Sequence, residues 1–329
     1  MDLESFTKFL ETRRQTSEEI NKTIEFITEF ADFLKKVGRT PETCTYNDFQ
    51  NFSTILMQTQ RNTFVNYVNL FRFGSFSNNK ELIIGTLEVL DGSEVIENLS
   101  KRLTEEFGEE IQNTVFTGID IPPLGLHPTK KPIITKTLID NLIANVDPKK
   151  GQKFLARGLR NKYTESYKKP RESYLKAKNI DEFLKNQQED FWQTLTTHYK
   201  EGTLFYTQEI TKEVLEYIKS QKGMTEAGMR DGDNVIITKI PYMAKHYLAE
   251  TDKRKRNYYY CHCPWVREAL LHEDQPVDPI FCNCSGGYYK NFWEAVLDQE
   301  VEIELLESVL KGDDQCKFKL ELPKNVKLE

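Results

Sequence analysis

An α+β fold is predicted, with an N-terminal all-helical domain followed by a helix-rich α+β domain ending in a helix and a β-hairpin. Three observations predict it. Apolar residues recur at helical spacing through the first part of the chain, as in Ile20, Ile24, Ile27, Phe30, Ala31 and Leu34. Strand-like, β-branched and aromatic runs begin only after Gly202. Near the end, Val301, Ile303 and Leu305 alternate with Glu302 and Glu304, and Cys316, Phe318, Leu320 and Leu322 alternate with Lys317, Lys319 and Glu321. Alternation puts each set on one face of a strand, and Lys311-Gly312-Asp313-Asp314 supplies the turn between them.

The elements follow in order. Leu3, Phe6, Phe9 and Leu10 mark a first helix, and Gly38 with Pro41 stops the second. Thr45 caps a third through Phe49, Phe52 and Leu56, and Phe64, Val65, Val68 and Phe71 supply a fourth. Further helices are expected over Ile83–Leu90, Val95–Val115, Thr135–Val146, Gln152–Tyr167, Ile180–Leu195 and Ile210–Lys222. Leu204–Tyr206, Val235–Ile240 and Tyr258–Tyr260 read as strands, and a last helix is expected from about Gly287. The Gly- and Pro-rich stretch from Gly118 to Pro132 marks a linker. The predicted organisation is a helical module over 1–117, a linker over 118–134 and a cysteine-containing α+β domain over 135–329.

A chain of 329 residues can bury a substantial core. Its start, Met1-Asp2-Leu3-Glu4, lacks the basic and apolar regions of a signal peptide, and no apolar run approaches the ~20 residues that span a bilayer. A cytoplasmic protein with no membrane partner is expected. A net charge of −6 argues against a general nucleic-acid coat. One segment is polarised the other way: Lys149–Lys178 holds eleven Lys or Arg against Glu165 and Glu172. Arg157, Arg160, Lys162, Lys168, Lys169 and Arg171 are its candidate anion contacts, with Tyr163, Tyr167 and Tyr174 interleaved. A solvated basic face is the alternative.

Five of the six cysteines fall between Cys261 and Cys316, in the pairs Cys261-His262-Cys263 and Cys282-Asn283-Cys284 and the single Cys316. In a reducing compartment such clustering points to a metal, a reactive thiolate or buried structural thiols. Zinc is the candidate metal, with Cys261, Cys263, Cys282, Cys284 and Cys316 as candidate ligands, because zinc takes four sulfur or nitrogen donors. In the catalytic alternative, Cys284 opens a helix whose free N–H groups favour a thiolate, with His262 as its base. Trp265, Ser285, Gly286 and Tyr288 are candidate walls of a ligand pocket, where Gly286-Gly287 would let a ligand approach the backbone. Cys44 lies far from this cluster and reads as structural.

Two resemblances add to this. Thr23-Ile24, Phe30-Ala31-Asp32-Phe33-Leu34-Lys35-Lys36, Gly38 and Thr45-x-x-Asp48-Phe49 resemble the SAM-like core-binding domain of tyrosine recombinases over about 1–75. None of the five histidines begins a His-x-x-Arg signature, so recombinase activity is not implied. A helical docking module for protein or nucleic acid is. From about 135 to 323, Cys261-His262-Cys263-Pro264-Trp265-Val266, Phe281-Cys282-Asn283-Cys284-Ser285-Gly286-Gly287-Tyr288 and Gly312-Asp313-Asp314-Gln315-Cys316 resemble an uncharacterised bacterial family related to L-2-amino-thiazoline-4-carboxylate hydrolase. The final helix and hairpin resemble 4-vinyl reductase-type ligand-binding domains. That likeness implies a zinc site built from Cys284, Cys316 and Glu304 near a small-ligand pocket, with Ser308 where the sensor pattern has a further cysteine. The functional expectation is a small-molecule or metal-binding, sensor-like protein. The alternatives are a thiol- or metal-dependent hydrolase of a small amide-like substrate, and a protein or nucleic-acid adaptor.

Overall fold

The computed structural model describes residues 2–161, 164–272, 274, 276–324 and 326. The chain divides into two compact units, one running to Ser93 and taking in Pro122–Pro128, the other comprising Glu94–Ile121 and the chain from Thr129 on. The predicted linker is thus split: Pro122–Pro128 belongs with the first unit, and the helices after Ser93 belong with the second.

The first unit is all helical: α1 (Leu3–Thr12), α2 (Ser17–Lys36), α3 (Tyr46–Gln58), α4 (Phe64–Phe76) and α5 (Lys80–Leu90). The predicted caps operate. Thr45 Oγ1 accepts the Asp48 N–H while Asp48 receives the Thr45 N–H, and Gly38 adopts a φ of +73° just past α2. The core is aromatic, with Phe6, Phe30, Phe49, Phe52 and Phe73 fully or almost fully buried. Gly125 of the returning segment lies against this core. A Cβ there would stand 2.0 Å from the Tyr67 hydroxyl, which is why glycine occupies the position.

The second unit opens with α6 (Val95–Phe107), α7 (Glu109–Val115), α8 (Lys131–Asn145), α9 (Pro148–Ala156), α10 (Lys168–Lys176) and α11 (Ile180–Glu201). The single helix expected over Val95–Val115 is broken at Gly108, whose φ of +86° is outside the helical range. The helix expected to reach Tyr167 stops at Ala156, shortly before Gly158 at a φ of +73°. There follow a two-residue hairpin, β1 (Leu204–Phe205) with β2 (Gln208–Glu209), then α12 (Lys212–Ser220), β3 (Met229–Asp231), β4 (Asn234–Thr238), α13 (Ala244–Ala249) and α14 (Lys253–Tyr260). The chain closes with α15 (Asn283–Leu297), β5 (Glu302–Glu307) and β6 (Lys317–Glu321). Among the described residues no helix is long and apolar enough to cross a membrane.

The four-stranded sheet is antiparallel in the order β3-β4-β6-β5. The closing hairpin has the predicted polarity: Phe318 and Leu320 are buried, while Glu304 pairs with Lys319 at 2.5 Å and Glu307 with Lys317 at 2.7 Å on the other face. The pattern slip at Leu306 is a register shift between Leu305 and Glu307. Helix α15 packs Trp293 and Phe292 over this sheet, against Phe183 of α11 and the strand residues Val235, Ile237, Phe318 and Leu320. Each such side chain contributes about 1.5–3 kcal/mol when fully buried.

One strand expectation fails. Tyr258–Tyr260 is the end of α14, a helix started by Asp252, whose carboxylate accepts the Lys255 N–H. The aromatic run scores as strand only by propensity, and packing overrides it. Tyr260 is buried, Tyr259 faces His246 and the Tyr258 hydroxyl donates to Glu268, three directions that a helix provides.

Candidate functional site: a thiol-lined cavity

Four of the five clustered cysteines, Cys261, Cys263, Cys282 and Cys316, line one cavity of about 30 Å³ in the second unit. His262, Lys239, Ser285 and Ser308 add polar groups to its wall, and Phe281, Leu305 and Phe318 close it with apolar surface. The space is about that of one water molecule or one ion. All six cysteines are free thiols.

Each cysteine is placed by the end of an element. Cys261 terminates α14 in extended backbone (φ −69°, ψ 125°), its N–H donating to Asn257 O at 3.0 Å. Cys263, two residues on, lines the same cavity, as does His262 between them. The Cys263 carbonyl then accepts the Arg267 N–H at 3.0 Å and turns the chain away. Cys316 stands just before β6, and its carbonyl accepts the Lys239 N–H at 3.0 Å. Cys282 closes the 3-10 turn Pro279–Cys282 at the start of α15.

Helical geometry also removes Cys284 from the group. At ~100° per residue, positions two apart in a helix point to nearly opposite sides. Cys282 therefore faces the cavity while Cys284 packs into the apolar core with Phe154, Leu155 and Phe281. Burial pushes the Cys284 thiol up to about 12. Burial likewise raises Cys261, Cys263, Cys282 and Cys316, with the Lys239 ammonium acting in the opposite direction on Cys263 and Cys316. Burial thus favours the neutral thiol at each position.

His262 makes a short contact, 2.6 Å from Nε2 to the Ile240 carbonyl oxygen. A carbonyl only accepts, so Nε2 carries the proton and donates. Its ring meets Tyr242 edge-on, and burial with the nearby Lys239 charge holds its pKa well below the usual imidazole value. The Cys284–His262 pair considered for nucleophilic catalysis is thus a core thiol and a neutral imidazole bonded to backbone.

The remaining predicted residues separate. Ser285 lines the cavity and accepts a bond from Lys239 Nζ at 2.8 Å. Trp265 is buried; its carbonyl accepts from Thr135 Oγ1 and its ring lies 5.3 Å from Lys131 Nζ. The Tyr288 hydroxyl donates to Glu226 at 3.1 Å. Gly286 and Gly287 admit protein, not ligand: a Cβ on Gly286 would meet the Phe318 ring at 3.2 Å, and one on Gly287 would meet the Gly158 backbone at 2.6 Å. Glu304 pairs with Lys319 away from the thiols.

The basic segment is largely tied down. Arg157 bonds Glu106 at 2.9 Å, Lys168 meets Glu165 at 2.7 Å, Lys169 reaches Asp190 at 3.5 Å, and Arg171 bonds the Val296 carbonyl. The Arg160 charge acts on the Cys263 and Cys284 thiols. Lys162 lies outside the described residues.

Residues 244–327 match a family of unknown function (DUF6144). No curated protein and no solved structure matches the chain. The DUF6144 segment contains all five clustered cysteines, His262 and Ser308, but not Lys239.

Of two further polar cavity residues, the sequence reading marks Ser308 only as standing where the sensor pattern has a cysteine, and it misses Lys239. Ser308 is fully buried and its hydroxyl donates to Cys282 Sγ at 3.1 Å. Lys239 carried only one signal, a lysine ending the β-branched run Val235–Thr238. Cys261, Cys263, Cys282 and Cys316 are the cavity residues whose sulfur donors could hold a thiophilic ion. Among the described residues, however, no three His, Cys, Asp or Glu side chains already stand as a ligand set.

Proposed function

We propose that this is a sensor-like, metal-binding protein whose thiol cavity takes a single thiophilic ion, zinc first. The observation that carries this reading is the meeting of Cys261, Cys263, Cys282 and Cys316, from three separate chain segments, around a space of about 30 Å³. That volume is an order of magnitude below the ~300–1,000 Å³ of small-molecule pockets, so size favours an ion over an organic ligand at this place. The likeness of the closing helix and hairpin to zinc-containing 4-vinyl reductase-type domains supports the same reading, with Cys282 in place of Cys284 and no part for Glu304. The SAM-like likeness of the N-terminal helices fits a docking unit that passes the metal state to a partner.

Zinc would hold the three segments together through thiolates, and its binding would displace the thiol protons. Ser308 would keep Cys282 oriented, and Lys239 would offset the negative charge of the thiolates.

Elemental analysis of untagged protein purified under reducing conditions tests the proposal. About one zinc per chain is expected, lost in a Cys282→Ser/Cys316→Ser variant that keeps its circular dichroism spectrum. Metal-free wild-type protein that also takes up no zinc in reducing buffer would overturn the reading, as would undiminished zinc in the folded variant.

A further inference from the structure

A second cavity of the same unit has different chemistry. It measures about 430 Å³ and lies between α11, the end of α12 with the loop after it, and β3. This is within the size range of small-molecule sites. Helix α11 contributes Asp181, Lys185 and Trp192 from one face, at helical spacing. Lys219 and Lys222 come from the end of α12 and its loop, and Met229 and Arg230 from β3.

Charge is concentrated here against the trend of the chain. Lys185, Lys219, Lys222 and Arg230 line the cavity, with Asp181 the one carboxylate among the described lining residues. Arg230 is neutralised by Asp181 at 2.6 Å, and Lys185 approaches Glu189 at 3.9 Å. Among the described residues neither Lys219 nor Lys222 makes an ion pair with a carboxylate. Lys219 Nζ lies 5.4 Å from the centre of the Trp192 ring, a cation over an aromatic face. Met229 leaves 39% of its surface exposed beside these groups, an adaptable apolar contact. Two uncompensated cations beside an aromatic ring and a thioether match one ligand shape, a flat apolar body carrying an anionic group.

The geometry points to a binding site for a small organic anion, a planar ring seated on Trp192 and Met229 with its carboxylate or phosphate held by Lys219 and Lys222. The Trp192 face that Lys219 covers is the face the ring takes, and the displaced ammonium remains within reach of the anion. The loop that carries Lys222 is fixed for this by two bonds to the end of β4: Thr238 N–H donates to Gly223 O at 2.9 Å and Thr238 Oγ1 to Lys222 O at 3.0 Å. This site is independent of the thiol cavity, so its test neither requires nor decides metal content.

Titration calorimetry on the full chain at low salt provides the test, with salicylate as the carboxylate probe and AMP as the phosphate probe. At least one is expected to bind at about one per chain with a Kd below ~1 mM. Its neutral counterpart, benzyl alcohol or adenosine, is expected to bind at least ~10-fold more weakly, and Lys219→Glu/Lys222→Glu to weaken the anion at least ~10-fold. Whichever probe binds assigns the anionic group. Trp192 fluorescence of the wild-type protein gives a readout that needs no variant, because Trp265 and Trp293 are buried and the ligand should quench the one tryptophan it touches. Failure of both anions to bind at about 10 mM, binding that survives charge reversal, or binding without a change in Trp192 emission overturns the assignment.

Discussion

The Ser308 hydroxyl donates to the Cys282 thiol at 3.1 Å and at the same time accepts the Leu310 N–H at 3.1 Å. One buried side chain therefore both shapes the turn after β5 and fixes a thiol of the cavity. The turn depends on it further: the Ser308 carbonyl accepts from Lys311 and Asp313, and its N–H donates to Asp313 Oδ2 at 2.8 Å. Ser308→Ala removes the cap and leaves the part-buried Leu310 N–H short of its acceptor. A loss of about 1–2 kcal/mol is expected, within the range for capping and buried hydrogen bonds. Urea unfolding reads it as a lower midpoint at unchanged slope; a midpoint equal to wild type would mean the hydroxyl has another role.

The two glycines of α15 separate by what they touch. A Cβ on Gly287 would lie 2.6 Å from both N and Cα of Gly158, and backbone cannot step aside locally. A Cβ on Gly286 meets only side chains, the edge of the Phe318 ring at 3.2 Å and Ile303 Cγ2 at 3.6 Å, and a shift of a few tenths of an ångström relieves the contact. Alanine in a helix gains up to ~1 kcal/mol over glycine, enough to offset the second strain and not the first. Gly287→Ala should destabilise by about 3 kcal/mol and Gly286→Ala should stay within about 1 kcal/mol of wild type. Thermal unfolding of the two variants side by side gives the order, and a reversed order would contradict the packing described.

Most of the fold was legible because periodicity reports burial. The helices of the first unit, strand β4 and the two faces of the closing hairpin all follow from the spacing of apolar residues. What escaped was decided by backbone state. Cys261-x-Cys263 and Cys282-x-Cys284 look alike in sequence, yet the first follows the end of α14 and presents both thiols to one cavity. The second begins a helix and sends Cys284 into the core. Gly286 and Gly287 read as room for a ligand, because sequence shows a missing side chain and not what fills the space. Phe318 and Gly158, far away in the chain, fill it. Lys239 escaped for the same reason: its meeting with Ser285 and Cys316 is made by tertiary folding alone.

Thiol reactivity should follow burial. Cys44 and Cys284 are each pushed up to about 12 from a reference of 9.0, so at pH 8 their thiolate fraction is about a thousandfold below that of a free thiol. In the folded, metal-free protein, Cys44 and Cys284 should react with iodoacetamide at pH 8 at least ~100-fold more slowly than in urea. Mass spectrometry of timed samples, resolved by peptide, measures each rate. Rapid labelling of Cys284 under native conditions would show an accessible thiolate and reopen the case for it as a nucleophile.

In the first unit, pH dependence is expected from Glu29. Arg61 donates to both of its carboxylate oxygens, at 2.7 and 2.5 Å, and this bonding holds the Glu29 pKa below the ordinary glutamate value. A carboxylate depressed by folding stabilises the folded state above its unfolded pKa, and the stabilisation is lost as pH falls through the lowered folded value. Both side chains are 43% exposed, so water and salt screen the pair and its contribution stays below about 1 kcal/mol. Glu29→Gln should therefore loosen the packing of α2 at pH 7 by less than a factor of about 5 in local opening, and the difference from wild type should vanish as the pH falls through the lowered folded value. Hydrogen exchange of peptides from α2 and the end of α3, corrected for the intrinsic pH dependence of exchange, reads this locally. A wild-type-to-variant difference that persists at low pH would assign the effect to shape and not to the ion pair.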